Sequence, residues 1–338
     1  MSFSQTYLVI GSGSIARRHI GNIKKLFGHA RVGCISSSGR MLTPDEIGAD
    51  TIVYQSIEQA LKDRPILAIV ASPAPFHVSQ AASLLRAGVP VLVEKPLSDS
   101  LATFAVDGDV LRANRDRLEV AYNLRYLPSA IKLKSLLMDG ALGNIHNVAI
   151  DVGQYLPDWR PASDYRKNVS ARKELGGGVL LELSHELDYL IWLFGNFDAA
   201  YCIASNSGTL EIDVEDKVDA ILSNKSGLVV GLHMDFLQRT PTRTCKIVGQ
   251  SGTLIWNILR NSISLYDESG MEKVIFNNPE YDRNTMYLDE IDRFSRVAAG
   301  ELLPVVDVEH ALSVLCLIEA LKQSSTTRQV VKVGDYSL

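Results

Sequence analysis

Apolar runs alternate with helical patterns over the first third of the chain. Runs of four or five mostly aliphatic residues are typical of strands buried on both faces, and apolar residues that recur every three or four positions predict helices. This alternation predicts a parallel sheet covered by helices, with 118–122 as its sixth strand, although the pattern locates only five of the six. The strands that the pattern locates are 7–10, 31–35, 66–70, 91–93 and 118–122, and the helices are 17–27, 78–87 and 101–114.

The pattern changes in the second half, where apolar and polar residues alternate. Such period-two segments, separated by short turns, predict a largely antiparallel open sheet with one face left for a subunit contact. The segments are 145–153, 199–204, 217–223, 228–236, 243–248 and 253–256, with helices at 128–138, from 287 and at 308–324, and a closing strand at 330–333. We therefore expect an α/β protein of two domains, 1–122 and 123–338.

Composition is that of an ordinary globular protein of two domains. The chain has 338 residues, of which 46% are hydrophobic, and its net charge of −5 gives no support for nucleic-acid binding. No apolar run approaches a membrane span, and the start of the chain lacks the features of a signal peptide. The four cysteines show no metal-ligand spacing, so we expect reduced thiols, no metal site and a cytoplasmic location.

Residues 11–16 join the first predicted strand to the first predicted helix. Their sequence is the G-x-G-x-x-A form of the dinucleotide-binding fingerprint. Gly11 permits the tight turn, Gly13 lets the backbone approach a pyrophosphate, and Ala16 allows close helix–strand packing. The helix N-terminus offers N–H groups and the positive end of its dipole to phosphates. We therefore predict a Rossmann domain in which the cofactor is bound by Gly11, Ser12, Gly13, Ser14, Ile15 and Ala16.

The end of the second strand bears on which cofactor is bound. An NAD site usually has an acidic residue about twenty residues beyond the fingerprint, where it holds the ribose 2′-hydroxyl. This chain instead has Ser36, Ser37, Ser38 and Arg40. Small hydroxyls and an arginine suit a 2′-phosphate better, so NADP(H) is favoured over NAD(H). Alternatively, Asp45 or Glu46 could fold back and hold the ribose.

Two further strand exits are candidates for ligand contacts, because ligands bind outside the carboxyl ends of strands in open α/β sheets. One is the rigid loop with Ser72 and Pro73, and the other carries Glu94 and Lys95. Lys95 is predicted to project into a ligand crevice with Glu94 beside it, unless this is an ordinary strand exit with two solvated charges. His77, grouped with the cofactor residues, is expected mainly to cap the next helix.

The stretch 155–173 shows neither period and is predicted to be a long loop rich in aromatic and basic residues. Long loops in compact domains are often functional, aromatic rings stack on sugar faces, and arginines suit phosphate or carboxylate groups. The alternatives are a solvated basic loop or a subunit contact. We assign substrate binding to Tyr155, Trp159 and Arg166, together with Arg125 after the last strand of the first domain.

Three consecutive glycines, 176–178, precede a predicted helix that ends at Gly195. Glycines of this kind let the backbone pass close to a substrate or cofactor. Helical spacing puts Glu182, His185 and Asp188 on one broad face, where carboxylates can fix the tautomer of a histidine and raise its basicity. The alternative is a partly buried helix with an internally satisfied histidine.

Together these residues resemble the Gfo/Idh/MocA oxidoreductase family, which includes glucose–fructose oxidoreductase and inositol dehydrogenase. The resemblance covers nearly the whole chain and implies a Rossmann domain followed by an α/β domain with a large, mostly antiparallel open sheet that often builds homodimers or homotetramers. The matching segments are 11–16, 72–73, 94–97, 123–126, 176–178 with His185 and Asp188, 248–253 and 319–324.

The resemblance also implies that Lys95 reaches the nicotinamide ribose and the substrate, and that His185 is the acid/base. Many members have an aspartate four residues before this histidine, where this chain has Leu181. We therefore assign the role of that carboxylate to Glu182 as a hypothesis. The expected reaction is hydride transfer between NAD(P) and a hydroxyl-bearing carbon of a sugar or sugar derivative. His185 would be the general base, oriented by Glu182 or Asp188, and Lys95 would hold the developing alkoxide.

The basic loop suggests an anionic substrate such as a sugar nucleotide, sugar phosphate or acidic sugar. Two other functions stay open. One is elimination or hydrolysis of a sugar with transient use of the cofactor and no net redox change. The other is a regulator that senses the cofactor, although the acid/base pair of Lys95 and His185 argues against it. A metal hydrolase has little support because no cluster has ligand spacing.

Overall fold

The computed structural model describes residues 5–334, which form two compact units. The first unit contains the chain up to Asn123 together with Asn284–Leu315, and the second contains Leu124–Arg283 and the chain from Cys316 onwards. The expected division into 1–122 and 123–338 differs from this, because it assigned the stretch Asn284–Leu315 to the second domain.

A six-stranded parallel sheet forms the centre of the first unit. The strand order is β3-β2-β1-β4-β5-β6, which is the Rossmann order, and every neighbouring pair is parallel. Four of its strands are buried along their whole length, as continuous aliphatic runs require. The strands are β1 Thr6–Ile10, β2 Arg31–Ile35, β3 Ile52–Tyr54, β4 Leu67–Val70, β5 Val91–Glu94 and β6 Leu118–Ala121.

The helices of the first unit include one from the far end of the sequence. They are α1 Ser14–Leu26, α2 Pro44–Ile47, α3 Ile57–Leu61, α4 His77–Arg86, α5 Leu101–Ala113, α9 Thr285–Ala298 and the beginning of α10 Val308–Thr327. Helix α9 returns to the first unit because its apolar residues Phe294 and Val297 join the core formed by Ile20 and Ile23 of α1. The Arg18 guanidinium also lies 4.6 Å from the centre of a Tyr ring on α9.

The second unit is built on a nine-stranded mixed sheet in the order β14-β13-β12-β11-β7-β10-β9-β8-β15. Within the described residues of this second sheet, β7 and β10 are the one parallel pair, and the other neighbouring pairs are antiparallel. The strands are β7 Ile145–Gly153, β8 Ala199–Ser205, β9 Lys217–Ser223, β10 Val229–Asp235, β11 Thr242–Gly249, β12 Gly252–Asn257, β13 Ser262–Tyr266, β14 Glu272–Asn277 and β15 Val331–Lys332.

The alternating sequence pattern corresponds to two different faces of this sheet. Val218 and Leu222 of β9 point into the core, whereas Asp219 and Ile221 between them are exposed. Helices α6 Pro128–Met138, α7 Val179–Glu182 and α8 His185–Phe194 belong to this unit. The Trp256 indole of β12 donates to the hydroxyl of Ser129 on α6 at 2.8 Å, so this helix packs on the sheet.

The fold class predicted from the sequence is confirmed: a parallel Rossmann sheet is followed by a mostly antiparallel sheet. The pattern did not locate three of the strands, β3, β13 and β14. Strand β3 has only three residues, which is too short for a period, and β14 is largely exposed, so it lacks regular apolar positions.

Candidate active site

The turn between β1 and α1 accepts only glycine at its first position. Gly11 has a φ of +126°, and a Cβ atom there would collide with the carbonyl oxygen of Ala71 at the end of β4. Its N–H donates to the carbonyl oxygen of Ile35, the last residue of β2, at 2.8 Å. The fingerprint turn is therefore fixed against the ends of both neighbouring strands.

The N-terminus of α1 is open in a way that fits a pyrophosphate. Gly13 is the N-cap residue, and a Cβ atom built on it would meet no atom within 4 Å. It supplies no side-chain acceptor for the first N–H groups of the helix. Ala16 below is fully buried, as close packing requires. Uncapped N–H groups, the helix dipole and open space above glycine are what a dinucleotide phosphate needs, so these residues fit the cofactor.

The chain after β2 forms a tight turn of hydroxyl residues. The N–H of Gly39 donates to the carbonyl oxygen of Ser36 at 3.2 Å, and the hydroxyls of Ser36 and Ser38 lie 3.1 Å apart. Arg40 follows this turn and pairs with Glu46 through two hydrogen bonds of 2.6 and 3.1 Å. Ser37 lies within the same turn. The serines predicted to contact the ribose are thus close to one another, and Arg40 after them is held by the Glu46 carboxylate.

The loops after β4 and β5 are joined by His77, the first residue of α4. Its Nε2 lies 2.7 Å from the carbonyl oxygen of Ser72 and its Nδ1 lies 2.8 Å from that of Pro96. The ring is buried, and burial lowers its pKa. The Lys95–Pro96 peptide bond is cis. The expectation that His77, grouped with the cofactor residues, mainly caps the next helix is corrected, because its ring contacts two loops at the carboxyl edge of the sheet and, among the described residues, makes no capping hydrogen bond.

A buried pair that the sequence analysis did not identify lies beneath the lysine. Nε2 of His19, on α1, lies 2.7 Å from Oε1 of Glu94, and the other carboxylate oxygen accepts the backbone N–H of Lys95 at 3.2 Å. Burial raises the pKa of the Glu94 carboxyl, but the hydrogen bond and charge of His19 and the charge of Lys95 outweigh this, so the pKa lies below its ordinary value. His19 stands three residues after Ala16, and this helical spacing, which puts it on the buried face of α1, was the signal that could have identified it.

In the second unit, the helix predicted to run unbroken to Gly195 is two helices. Helix α7 ends at Glu182 and α8 begins at His185, because Leu183 and Ser184 interrupt the regular spacing. The expectation that Glu182 and His185 share one helical face is therefore corrected. The Glu182 carboxylate accepts a hydrogen bond from the Ser170 hydroxyl at 3.1 Å. His185 is half-buried in the first turn of α8.

Asp188, one turn after His185, forms a buried salt bridge with Arg125. The Arg125 Nε and Nη2 atoms lie 3.0 and 2.7 Å from the two carboxylate oxygens, and both side chains are at least 96% buried. The guanidinium also lies 4.9 Å from the centre of the Trp192 ring. Arg125, predicted as a substrate ligand, and Asp188, predicted to orient the histidine, are thus brought together as a bidentate pair.

Two of the three glycines at 176–178 make room for the chain itself. A Cβ atom on Gly177 would collide with the carbonyl oxygen of Val169, and one on Gly178 would lie 2.5 Å from the carboxylate of Glu215. This carboxylate accepts the N–H of Leu180 at 3.0 Å. The expectation that these glycines face a substrate or cofactor is corrected, because loop backbone and a carboxylate occupy the space.

The stretch 155–173 is a loop with short 3₁₀ turns, as expected. The Trp159 ring packs edge-on against Phe236 at 5.3 Å, and the Tyr155 ring lies under an arginine guanidinium at 3.6 Å. Arg166 is 49% exposed and pairs with the carboxylates of Asp164 and Glu211. These two carboxylates balance the positive charge of Arg166, which weakens the argument for an anionic substrate.

Among residues 5–334, no group of three or more His, Cys, Asp or Glu side chains has the arrangement of a metal site. None of the helices described between these limits has the length and apolar composition needed to cross a membrane.

Two family comparisons cover most of the chain. Residues 5–122 match an oxidoreductase family with an NAD-binding Rossmann fold, and residues 130–255 match the GFO/IDH/MocA C-terminal domain. Both matches agree with the resemblance seen in the sequence.

Several curated proteins are similar over part of the chain. The rhizopine catabolism protein MocA of Rhizobium meliloti is 27% identical over 54% of this chain and 56% of its own length. The inositol 2-dehydrogenase of Streptomyces avermitilis is 27% identical over 55% of this chain and 52% of its own. The 1,5-anhydro-D-fructose reductase of Ensifer adhaerens is 26% identical over 73% of this chain and 74% of its own length. The chain thus spans about half the length of the first two of these relatives.

Solved structures show the same fold over the full length. A levoglucosan dehydrogenase in complex with NADH has a TM-score of 0.82 at 19% identity, covering 98% of this chain and 99% of that chain. The WlbA dehydrogenase from Bordetella pertussis, in complex with NADH and UDP-GlcNAcA, has a TM-score of 0.80 at 20% identity, with 98% and 99% coverage.

Proposed function

Because this chain belongs to the Gfo/Idh/MocA family of oxidoreductases, we propose that it catalyses reversible hydride transfer between a nicotinamide dinucleotide and a hydroxyl-bearing carbon of a sugar or polyol. The observation that carries the proposal is the carboxyl edge of the first unit's sheet. There the open N-terminus of α1 lies beside the loop after β4, and the exit of β5 presents Lys95. The bound nicotinamide would accept or supply the hydride.

Two side chains of this protein would handle the proton and the charge. A hydroxyl carbon loses its hydride only as the hydroxyl loses its proton, so we assign His185 as general base. Lys95 would stabilise the developing alkoxide as an ammonium. The backbone at Lys95 is held by the buried Glu94 carboxylate, which supports a role that depends on precise position. Glu182 or Asp188 as the partner of His185 stays a prediction.

The proposed cofactor is NADP(H) in preference to NAD(H). The support is the turn of Ser36 and Ser38 followed by Arg40, because small hydroxyls and an arginine after the second strand suit a 2′-phosphate. A calorimetric titration of the full chain with NADH and NADPH tests this directly. Tighter binding of NADPH that disappears in Arg40→Ala supports the preference, and tighter binding of NADH contradicts it.

The proposed substrate class is a sugar or polyol, and its charge is a separate question. Relatives are named for inositol, 1,5-anhydro-D-fructose and glucose 6-phosphate, which share ring hydroxyls but differ in charge. The anionic preference, with Tyr155, Trp159 and Arg166 as ligands, stays a prediction. Comparing glucose with glucose 6-phosphate as substrates tests this preference. A site that binds an anion gives a lower KM for glucose 6-phosphate than for glucose, and Arg166→Gln should abolish that difference.

Activity is tested by following reduction of NAD⁺ and NADP⁺ with a panel of ring polyols and sugars. Lys95→Met and His185→Asn should each lower kcat by at least about a hundredfold while cofactor binding persists. Lys62→Met and His146→Asn are matched controls at exposed positions and should turn over normally. Near-normal kcat in both Lys95→Met and His185→Asn would contradict the assignment, and absence of cofactor binding in the unaltered chain would contradict the function itself.

We also propose that the chain forms a homodimer or homotetramer through the open face of the second unit's sheet. This face carries exposed Ile203 and Ile221 beside a groove of about 720 Å³. Asp219 and Lys246 line the same groove, so a second copy related by a twofold axis offers opposite charges as well as apolar surface. Ile221→Glu should shift the species seen by analytical ultracentrifugation towards monomer, whereas Val106→Glu, at an exposed helix position, should not.

We further propose a cytoplasmic location. All four cysteines are buried thiols that form no disulfide, which fits a reducing compartment. Fractionation of the native host with antibodies to this chain tests the location, and enrichment outside the cytoplasm contradicts it.

A further inference from the structure

Arg40 follows the end of β2, which lies beside the fingerprint turn, and is already bound by another residue of the chain. The hydrogen bond from Gly11 to Ile35 places the end of β2 beside the fingerprint turn, and Arg40 follows five residues later. Its Nη2 lies 2.6 Å from Oε1 of Glu46, and its Nη1 lies 3.1 Å from Oε2. The guanidinium fork is therefore filled by one carboxylate.

Glu46 is itself fixed in place by the start of α2. Its Oε2 atom accepts the backbone N–H of Thr43 at 2.9 Å, which forms a capping box together with the Thr43 side chain that accepts the backbone N–H of Glu46. The same Oε2 atom also accepts the Thr43 hydroxyl at 3.2 Å. The Arg40 hydrogen bond, followed by the Thr43 contacts, lowers the pKa of Glu46 to about 2. The carboxylate therefore stays ionised throughout the pH range in which enzymes of this kind are assayed.

A guanidinium binds one carboxylate or one phosphate in the bidentate manner at a time. A 2′-phosphate at this edge would have to displace Glu46 from Arg40 and would also be repelled by the negative charge of Glu46. A 2′-hydroxyl would meet neither obstacle. We propose that Glu46 limits the cofactor preference of this chain by competing with the 2′-phosphate for Arg40, so that the unaltered site binds NADP(H) more tightly than NAD(H) by only a narrow difference in affinity.

The unaltered chain is thus expected to bind both NAD(H) and NADP(H). This inference rests on the proposed function, because it assumes that a dinucleotide binds at the fingerprint turn. Exposed ion pairs are weak, so the competition is modest in size. We expect that removal of the Glu46 charge tightens NADPH binding about three- to tenfold and leaves NADH binding unchanged within twofold.

The experiment is calorimetric titration of the full chain with NADH and NADPH in four variants and the unaltered protein. Glu46→Gln removes the charge and keeps the shape. Asp45→Asn removes the neighbouring charge of the same short helix and is the matched control. Thr43→Val loosens the cap while leaving the Arg40–Glu46 pair, so it controls for damage to α2. The double variant Arg40→Ala with Glu46→Gln tests whether the gain passes through the arginine.

The inference predicts a selective gain for NADPH in Glu46→Gln, no such gain in Asp45→Asn or Thr43→Val, and its loss in the double variant. An equal gain in Asp45→Asn would overturn it, because the effect would then be general repulsion. A gain that survives in the double variant, or no change in Glu46→Gln, would overturn it as well. Failure of the unaltered chain to bind either cofactor would instead contradict the proposed function.

Discussion

His19 and Glu94 join the fingerprint helix to the strand that carries the lysine, with 2.7 Å between Nε2 of the histidine and Oε1 of the carboxylate. The second carboxylate oxygen accepts the N–H of Lys95. One buried carboxylate thus connects the helix proposed to hold the pyrophosphate with the backbone of the residue proposed to hold the alkoxide. A shift of α1 would be transmitted to Lys95 through two hydrogen bonds.

Replacing His19 by leucine should destabilise the first unit and weaken NADH binding. The change leaves a buried carboxylate oxygen without its partner, which costs about 1–3 kcal/mol. Hydrogen exchange of β5 and α1 measures this better than tryptophan fluorescence, because all three tryptophans (Trp159, Trp192, Trp256) belong to the second unit. The double variant His19→Leu with Glu94→Leu should recover part of the loss. A double variant that costs the sum of both single variants would contradict the pairing.

The Glu94 carboxyl should make the stability of the first unit depend on pH. Its folded pKa lies below the ordinary value, so the unfolded chain takes up the proton more readily as the pH falls. The stabilisation is therefore present above the ordinary carboxyl pKa of about 4.3 and is lost as the pH falls through the folded value. Protection of β5 against hydrogen exchange should fall less with acidification in Glu94→Gln than in the unaltered chain. Equal acid dependence in both proteins would be evidence against a depressed pKa.

Alanine at the two fingerprint glycines should have different effects. Gly11→Ala forces a side chain into a φ of +126° and against Ala71, so we expect a loss of at least about 1–3 kcal/mol of stability. Gly13→Ala meets no atom of the chain, so folding should persist while NADH binding weakens at least about tenfold, because the methyl group occupies the approach of the pyrophosphate. Thermal melts and calorimetric titrations of the two variants separate these effects. Normal NADH affinity in Gly13→Ala would argue against phosphate binding at this helix.

Asp188→Asn should destabilise the second unit strongly. It leaves the buried Arg125 guanidinium without its carboxylate, and breaking one side of a buried pair costs about 3–5 kcal/mol. Replacing both partners, Arg125→Met with Asp188→Leu, should cost much less than Asp188→Asn alone. Urea unfolding followed by tryptophan fluorescence measures both variants in the second unit. A mild Asp188→Asn variant with less than about 1 kcal/mol of loss would show that the pair adds little.

The sequence predicted best what depends on neighbours in the chain. The turn at Gly11, the helix after it and the buried aliphatic strands follow from local geometry and from burial on both faces, and all of these are present in the structure. The alternation of Val218, Asp219 and Leu222 likewise fixed which residues of β9 face the core. Local patterns therefore sufficed for the fold class.

The sequence predicted least well what depends on partners far along the chain. Arg125 and Asp188 are 63 residues apart, and the helical spacing around Asp188 pointed to a neighbour on its own helix instead. Arg40 and Glu46 were considered as rival ribose ligands, whereas the structure pairs them. The break between Glu182 and His185 was likewise not visible in the helical spacing of the sequence.

The return of α9 to the first unit has a consequence for synthesis on the ribosome. Phe294 and Val297 complete the apolar core around Ile20 and Ile23, yet they are translated more than 250 residues after α1. The nascent Rossmann sheet must therefore emerge with this core uncovered, and it stays uncovered while the eight strands from β7 to β14 are synthesised. A chaperone that shields aliphatic surface would have its longest period of contact with this protein at the face of α1 that later receives α9.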